Sequence, residues 1–248
     1  MKGTRWSRED TIIAYALYCI IPLSEMRLDN MLIQQVAAKI PHSASSLIMC
    51  MQNFRHIDTS VKTTGLSHVG KTSKAVFEEF RNDWGQLSVL AEELTGLSLF
   101  DATPKQGAHP LSALTNRSKT NRERQFFRAS VLSNFEDACC LSGCKIPSLL
   151  IASHIKPYHT CRTELERVSP ENDLCLNCFY DKAFDSGLIT ITPNLIVHVS
   201  PQVKMYHDTF TREWLTKIDG NKIVSPSKFS LAKNFLEYHN DVIFKGVG

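Results

Sequence analysis

The chain has 248 residues, 43% hydrophobic and 21% charged, which excludes a disordered or fibrous protein and gives enough length for one large domain or two small ones. Lys and Arg number 28 against 25 Asp and Glu, a net charge of +3, so overall charge neither demands nor excludes a nucleic-acid partner and the local distribution must decide. The longest apolar run, Ile12 to Pro22, is shorter than the roughly 20 residues a bilayer span needs, and Glu9 and Asp10 before it are unlike a signal peptide. These features point to a soluble, cytoplasmic protein with no membrane contact, its eight cysteines reduced rather than paired.

In chain order, Ser7 and Asp10 form a capping pair before a helix over 11–21, which Pro22 closes. A second helix is expected over 28–39, stopping before Pro41. A third covers 43–55 after a Ser-rich entry, with Leu47, Met51 and Phe54 at helical spacing. A fourth covers 73–95 and ends near Gly96. This first part, 1–100, reads as a helical domain. Three short helices with a polar entry to the third suit a helix-turn-helix that positions DNA, or an all-α bundle that makes no DNA contact; the weakly basic third helix favours the bundle.

Residues 101–121, with Pro104, Gly107 and Pro110, read as a linker. From Lys105 to Arg128 the charged residues are Lys105, Arg117, Lys119, Arg122, Arg124 and Arg128 against the single acid Glu123. A solvated helix face accounts for part of this excess, and a phosphate-contacting surface for more of it. The remainder, 122–248, reads as mixed: a helix over 125–135, an apolar strand over 149–155, and a hairpin over 187–200 that turns at Pro193-Asn194. A last helix is expected over 227–244. The expected fold class is α+β.

Three chemistry-bearing features follow one another. His154 stands at the end of the apolar strand, Asn172 follows a polar loop, and Asn177 to Asp185 reads as the start of a helix. A strand-end His, an Asn in the next hairpin arm and a helix carboxylate can converge on one metal ion. Phosphodiester hydrolysis uses such a set, with a neutral imidazole to take a proton from water and a hard cation at the scissile phosphate.

The strings ASHIKPY, RVSPENDLCLN and YDKAFDSGLITI resemble the HNH nucleases, in the branch whose members read approximately ASHIKPW, RxxPxNGLxLN and HDxAFDxGLI. The flanking FFRASVL and FLEYHNDVIF, and the N-terminal RWSREDTIIAYALY, are similar to the same branch. The resemblance implies a ββα-metal nuclease domain behind a helical domain, hydrolysing DNA with Mg²⁺ or Mn²⁺ in a restriction or phage-conflict role. It makes His154 the general base and gives Asn172 the task of holding the loop and orienting the imidazole. Asp181 becomes the metal ligand from the helix. Asp185 stands beside it as a further candidate or a supporting residue, and Lys156 and Arg167 contact phosphate or developing negative charge.

Two positions depart from the family pattern. Asp173 replaces the usual Gly after the Asn, and Tyr180 replaces the His that usually precedes the helix Asp. The second departure keeps open an alternative: a catalytically degenerate HNH-fold DNA-binding protein. The cysteines invite a zinc reading, but Cys175 and Cys178 fall three and six residues after Asn172, where the zinc-bearing branch places its pair at five and eight; this argues against structural Zn²⁺. Cutting both strands from a single site would call for a homodimer. No segment declares itself the interface.

Overall fold

The structure, a computed structural model, describes residues 5–58, 69–100 and 119–246. They form two compact units that divide between Glu136 and Asp137.

The first unit is a helical bundle. Ser7 caps α1 (Arg8–Ile20), its hydroxyl accepting from the Asp10 backbone N–H. Every residue from Asp10 to Ile21 is buried. A helix that is apolar all round belongs at the centre of a bundle, and here the later helices surround it. They are α2 (Met31–Ala37), α3 (Ala44–Ile57), α4 (Lys71–Phe80), α5 (Trp84–Thr95) and α6 (Lys119–Asn134). All but α2, which packs on α3, lie directly against α1. Tyr15 of α1 packs its ring 4.6 Å from Phe54 and 5.7 Å from Phe77. Phe126 of α6 meets Trp84 of α5 at 5.4 Å.

Among the boundaries that differ from the sequence reading, two shape this unit. The single helix expected over 73–95 is broken, because the Asp83 side chain accepts the Gln86 N–H and starts α5 afresh; a capping carboxylate competes with helix continuation. The expected linker over 101–121 falls mostly outside the described residues, but its last positions, from Lys119, already belong to α6. That helix buries Phe126, Ser130 and Val131 and packs on α1 and α5. It therefore joins the first unit, although its place in the chain groups it with the second.

The second unit is mixed. It contains β1 (Leu150–His154), α7 (Glu164–Val168), β2 (Asp173–Asn177), α8 (Cys178–Asp185), β3 (Ile189–Ile191), β4 (Val197–Val199), α9 (Pro201–Lys204), α10 (Thr209–Trp214) and α11 (Lys233–Tyr238). β1 and β2 pair antiparallel, with Leu150 opposite Asn177 and His154 opposite Asp173. Asn177 then caps α8, accepting from the Phe179 and Tyr180 N–H groups, so the chain passes from strand to helix without a loop. The helix packs across both strands. β3 and β4 form the second hairpin, turned by Leu195 at φ 64°.

The helix expected over 227–244 is shorter. The Ala232 N–H bonds to the Glu171 carbonyl instead of an upstream turn, and α11 gives way to a π-helical turn over His239–Ile243. There His239 stacks on Phe184 of α8 at 3.6 Å. Its ring nitrogens face the Thr190 hydroxyl at 2.8 Å and the Phe184 carbonyl at 3.2 Å. Gly187, at φ 69°, has to be glycine, because a Cβ there would run into the Ile243 carbonyl.

Candidate functional site

The β1–β2 hairpin is joined by the long segment 155–172, and Asn172 holds that segment in place. Its side chain is fully buried. The carboxamide oxygen accepts from the Lys156 N–H at 2.8 Å. The amide nitrogen donates to the Glu166 carbonyl at 2.9 Å and the Lys156 carbonyl at 3.2 Å. Asn172 therefore ties both ends of the loop to the foot of β2. It acts on the imidazole indirectly, through the loop.

The loop in turn orients His154. Nε2 lies 3.0 Å from the Arg167 carbonyl, at the next residue after Glu166. A carbonyl can only accept, so this contact places the hydrogen on Nε2 and the lone pair on Nδ1. The His154 side chain is about one-fifth exposed. Burial pulls its pKa below 6.5, partly opposed by the Arg167 carbonyl bond, so the imidazole is neutral at neutral pH. A neutral, fixed imidazole at a strand end is the state a general base needs.

Lys156 and Arg167 are drawn into the loop. Lys156 is 9% exposed. Its ammonium bonds Glu166 at 2.7 Å and stands over the Tyr238 ring at 5.5 Å. That bond, with the Arg162 N–H, holds the Glu166 carboxyl below the usual range. The Arg167 guanidinium donates to the Cys161 carbonyl at 3.3 Å and lies 5.3 Å over Tyr158. The sequence offers both cations for phosphate; in the structure, Arg167 meets His154 through its backbone.

Asp181 and Asp185 lie one turn apart on α8. Burial, and then the negative charge of Asp181, push the Asp185 carboxyl above the usual carboxylate range, with Lys182 opposing. Among the described residues no three His, Cys, Asp or Glu side chains gather closely enough to hold a metal by themselves. A hard ion such as Mg²⁺ takes only one or two protein carboxylates and fills its octahedron with water and phosphate oxygens. The Asp181–Asp185 pair fits that sparse demand, because the charge of Asp181 bears on Asp185 and a cation would relieve it. Tyr180 is buried, and its hydroxyl donates to the Trp214 carbonyl at 2.9 Å.

The basic cluster divides between the units. Arg122, Arg124 and Arg128 lie on α6 of the first unit, with Arg124 exposed and the other two half-buried. Lys119 begins the same helix, and Arg117 lies outside the described residues. Arg167 belongs to the second unit.

Sequence reading missed two contacts at this site, the Arg167 carbonyl on Nε2 and the carboxyl of Asp173 near Nδ1. The second had a signal, since Asp173 departs from the expected Gly.

A hairpin ending in a pinned His, with a carboxylate-bearing helix packed across both strands, is the ββα arrangement of metal-dependent nucleases. Residues 139–192 match the family model described as HNH endonuclease, and this stretch lies wholly within the second unit. Over residues 139–192 the second unit is thus similar to the HNH endonucleases, and the fold is of the α+β class. No curated protein matches the chain. Among the described residues no helix is long and apolar enough to cross a membrane.

Proposed function

We propose that this protein is a divalent-metal-dependent DNA endonuclease of restriction or phage-conflict type. The observation that carries the reading is the seating of His154. It is a neutral imidazole at the end of β1, pinned through Nε2 by a loop that Asn172 staples in turn. In this role His154 takes a proton from water as its oxygen attacks phosphorus. Asp181 and Asp185 would hold Mg²⁺ or Mn²⁺, which would stabilise charge on the scissile phosphate. Arg117, Lys119, Arg122, Arg124 and Arg128 supply salt-dependent affinity for the backbone, since each phosphate neutralised releases counterions.

The test is cleavage of supercoiled plasmid with Mg²⁺ or Mn²⁺. His154→Ala should slow cleavage by about 10²- to 10⁴-fold, the usual contribution of a general base, with a cooperative melting transition that shows the variant is folded. Asp181→Ala should slow it comparably. Native-like cutting by either variant refutes its assigned role.

A second reading is favoured by one observation: Tyr180 stands where the family has His, and its hydroxyl is committed to the Trp214 carbonyl. In this reading the domain binds DNA without cutting it. Tight, salt-dependent binding with no cleavage in either metal would support it.

A further inference from the structure

His154 and Asp173 sit on one rung of the β1–β2 ladder, so their side chains emerge on the same face. Asp173 is fully buried, and neither carboxyl oxygen has a hydrogen-bond partner among the described residues. A buried carboxyl left this way is costly, and its retention asks for a reason. Its Oδ1 lies 3.2 Å from Nδ1 of His154, near but not aligned as a hydrogen bond. On the other side of the ring, the Arg167 carbonyl takes the hydrogen on Nε2. The lone pair that would accept a proton from water is therefore on Nδ1, the nitrogen that faces Asp173. Burial raises the carboxyl well above its usual range, which favours the protonated form, and a small rotation would let that form donate to Nδ1.

We propose that Asp173 is a positioning residue that covers Nδ1 of His154 in the resting protein, so that water reaches the lone pair only when the ring or the carboxyl shifts. Asp173 thereby restrains the nuclease. The proposal rests on the reading of His154 as the general base. It depends on this chain's own departure from the family pattern, since glycine at 173 would place no carboxyl beside Nδ1. Asp173 has φ −137°, extended backbone that any residue adopts. Alanine therefore fits without strain and removes an unpaired buried acid. Asparagine keeps the shape and presents an N–H donor that still covers Nδ1.

The experiment compares the native protein, Asp173→Ala and Asp173→Asn by plasmid cleavage in Mn²⁺ and Mg²⁺. It is paired with ¹⁵N spectra of the histidine side chains, His154 being assigned through His154→Gln. Thermal melts establish that each variant is folded. The expected result is cleavage at least tenfold faster than native in Asp173→Ala, and at or below native in Asp173→Asn. His154 should show the Nε2–H tautomer in the native protein, with an Nδ1 resonance that moves in Asp173→Ala. A folded Asp173→Ala that cuts no faster than an active native enzyme overturns the proposal. If none of the three proteins cuts DNA in either metal, the endonuclease reading falls, and the spectra decide the contact alone. A moved Nδ1 resonance then upholds it, and an unmoved one overturns it.

Discussion

Replacing Asn172 with Ala should separate the loop from the hairpin. The side chain makes three hydrogen bonds to the backbone in a fully buried setting, from the Lys156 N–H and to the Lys156 and Glu166 carbonyls, besides a weaker one to the Cys161 sulfur. Truncation leaves the Lys156 N–H without its acceptor and deprives two carbonyls of a donor. At roughly 1 kcal/mol for each bond, and more where a buried group is left unmet, the loss is about 3 kcal/mol. The consequence for chemistry follows from chain geometry. Glu166 is anchored by Asn172, and the next residue, Arg167, supplies the carbonyl that fixes His154. A loosened loop frees the imidazole to turn, so DNA cleavage should fall by about tenfold or more, as expected when a reacting group is misplaced by ~1 Å. Urea unfolding followed by circular dichroism measures the first effect, and plasmid cleavage well below the denaturation midpoint measures the second. A variant within about 0.5 kcal/mol of native, the range of an ordinary surface substitution, would refute the staple. So would one that loses stability yet cuts at the native rate, for the part of the argument that links loop to base.

Acid should destabilise the protein through His239. Burial between Phe184 and Thr190 pulls its pKa down to about 4, while the unfolded chain takes up the proton near 6.5. Between these values the unfolded state binds more protons, so stability is full above pH 6.5 and is lost as pH falls towards 4. The loss is about 3 kcal/mol, from roughly 2.5 units at about 1.4 kcal/mol each. Urea midpoints measured from pH 7 to pH 4 should show this slope, and His239→Gln should flatten it; an equal slope in both proteins would count against His239 as its source. Gly187→Ala should cost about 2 kcal/mol or more, because φ 69° is strained for alanine and the new Cβ meets the Ile243 carbonyl. An unchanged melting temperature in that variant would contradict the close approach.

Much of the scaffold is legible in short-range pattern. The apolar stretch after Ser7 announces a buried helix, Gly96 its neighbour's end, and Pro193-Asn194 the second hairpin, because capping and periodicity act over a few residues. The order His154, Asn172, Asp181 is likewise legible, and so is the family it resembles. The break at Asp83 was also local, but the apolar pattern runs through it and hides the competing cap. Other features were settled only by tertiary structure. α6 belongs to the first bundle because Phe126 finds Trp84, a meeting the intervening chain does not foretell. Lys156 turns inward because Glu166 and Tyr238 lie where it can reach them. Asp173 faces His154 because the hairpin register puts them on one rung; a slip of one residue would send the carboxyl to the opposite face. Residue type and order are properties of the chain, but which groups meet across a long loop is decided by strand pairing and burial, which act only once the whole unit has closed.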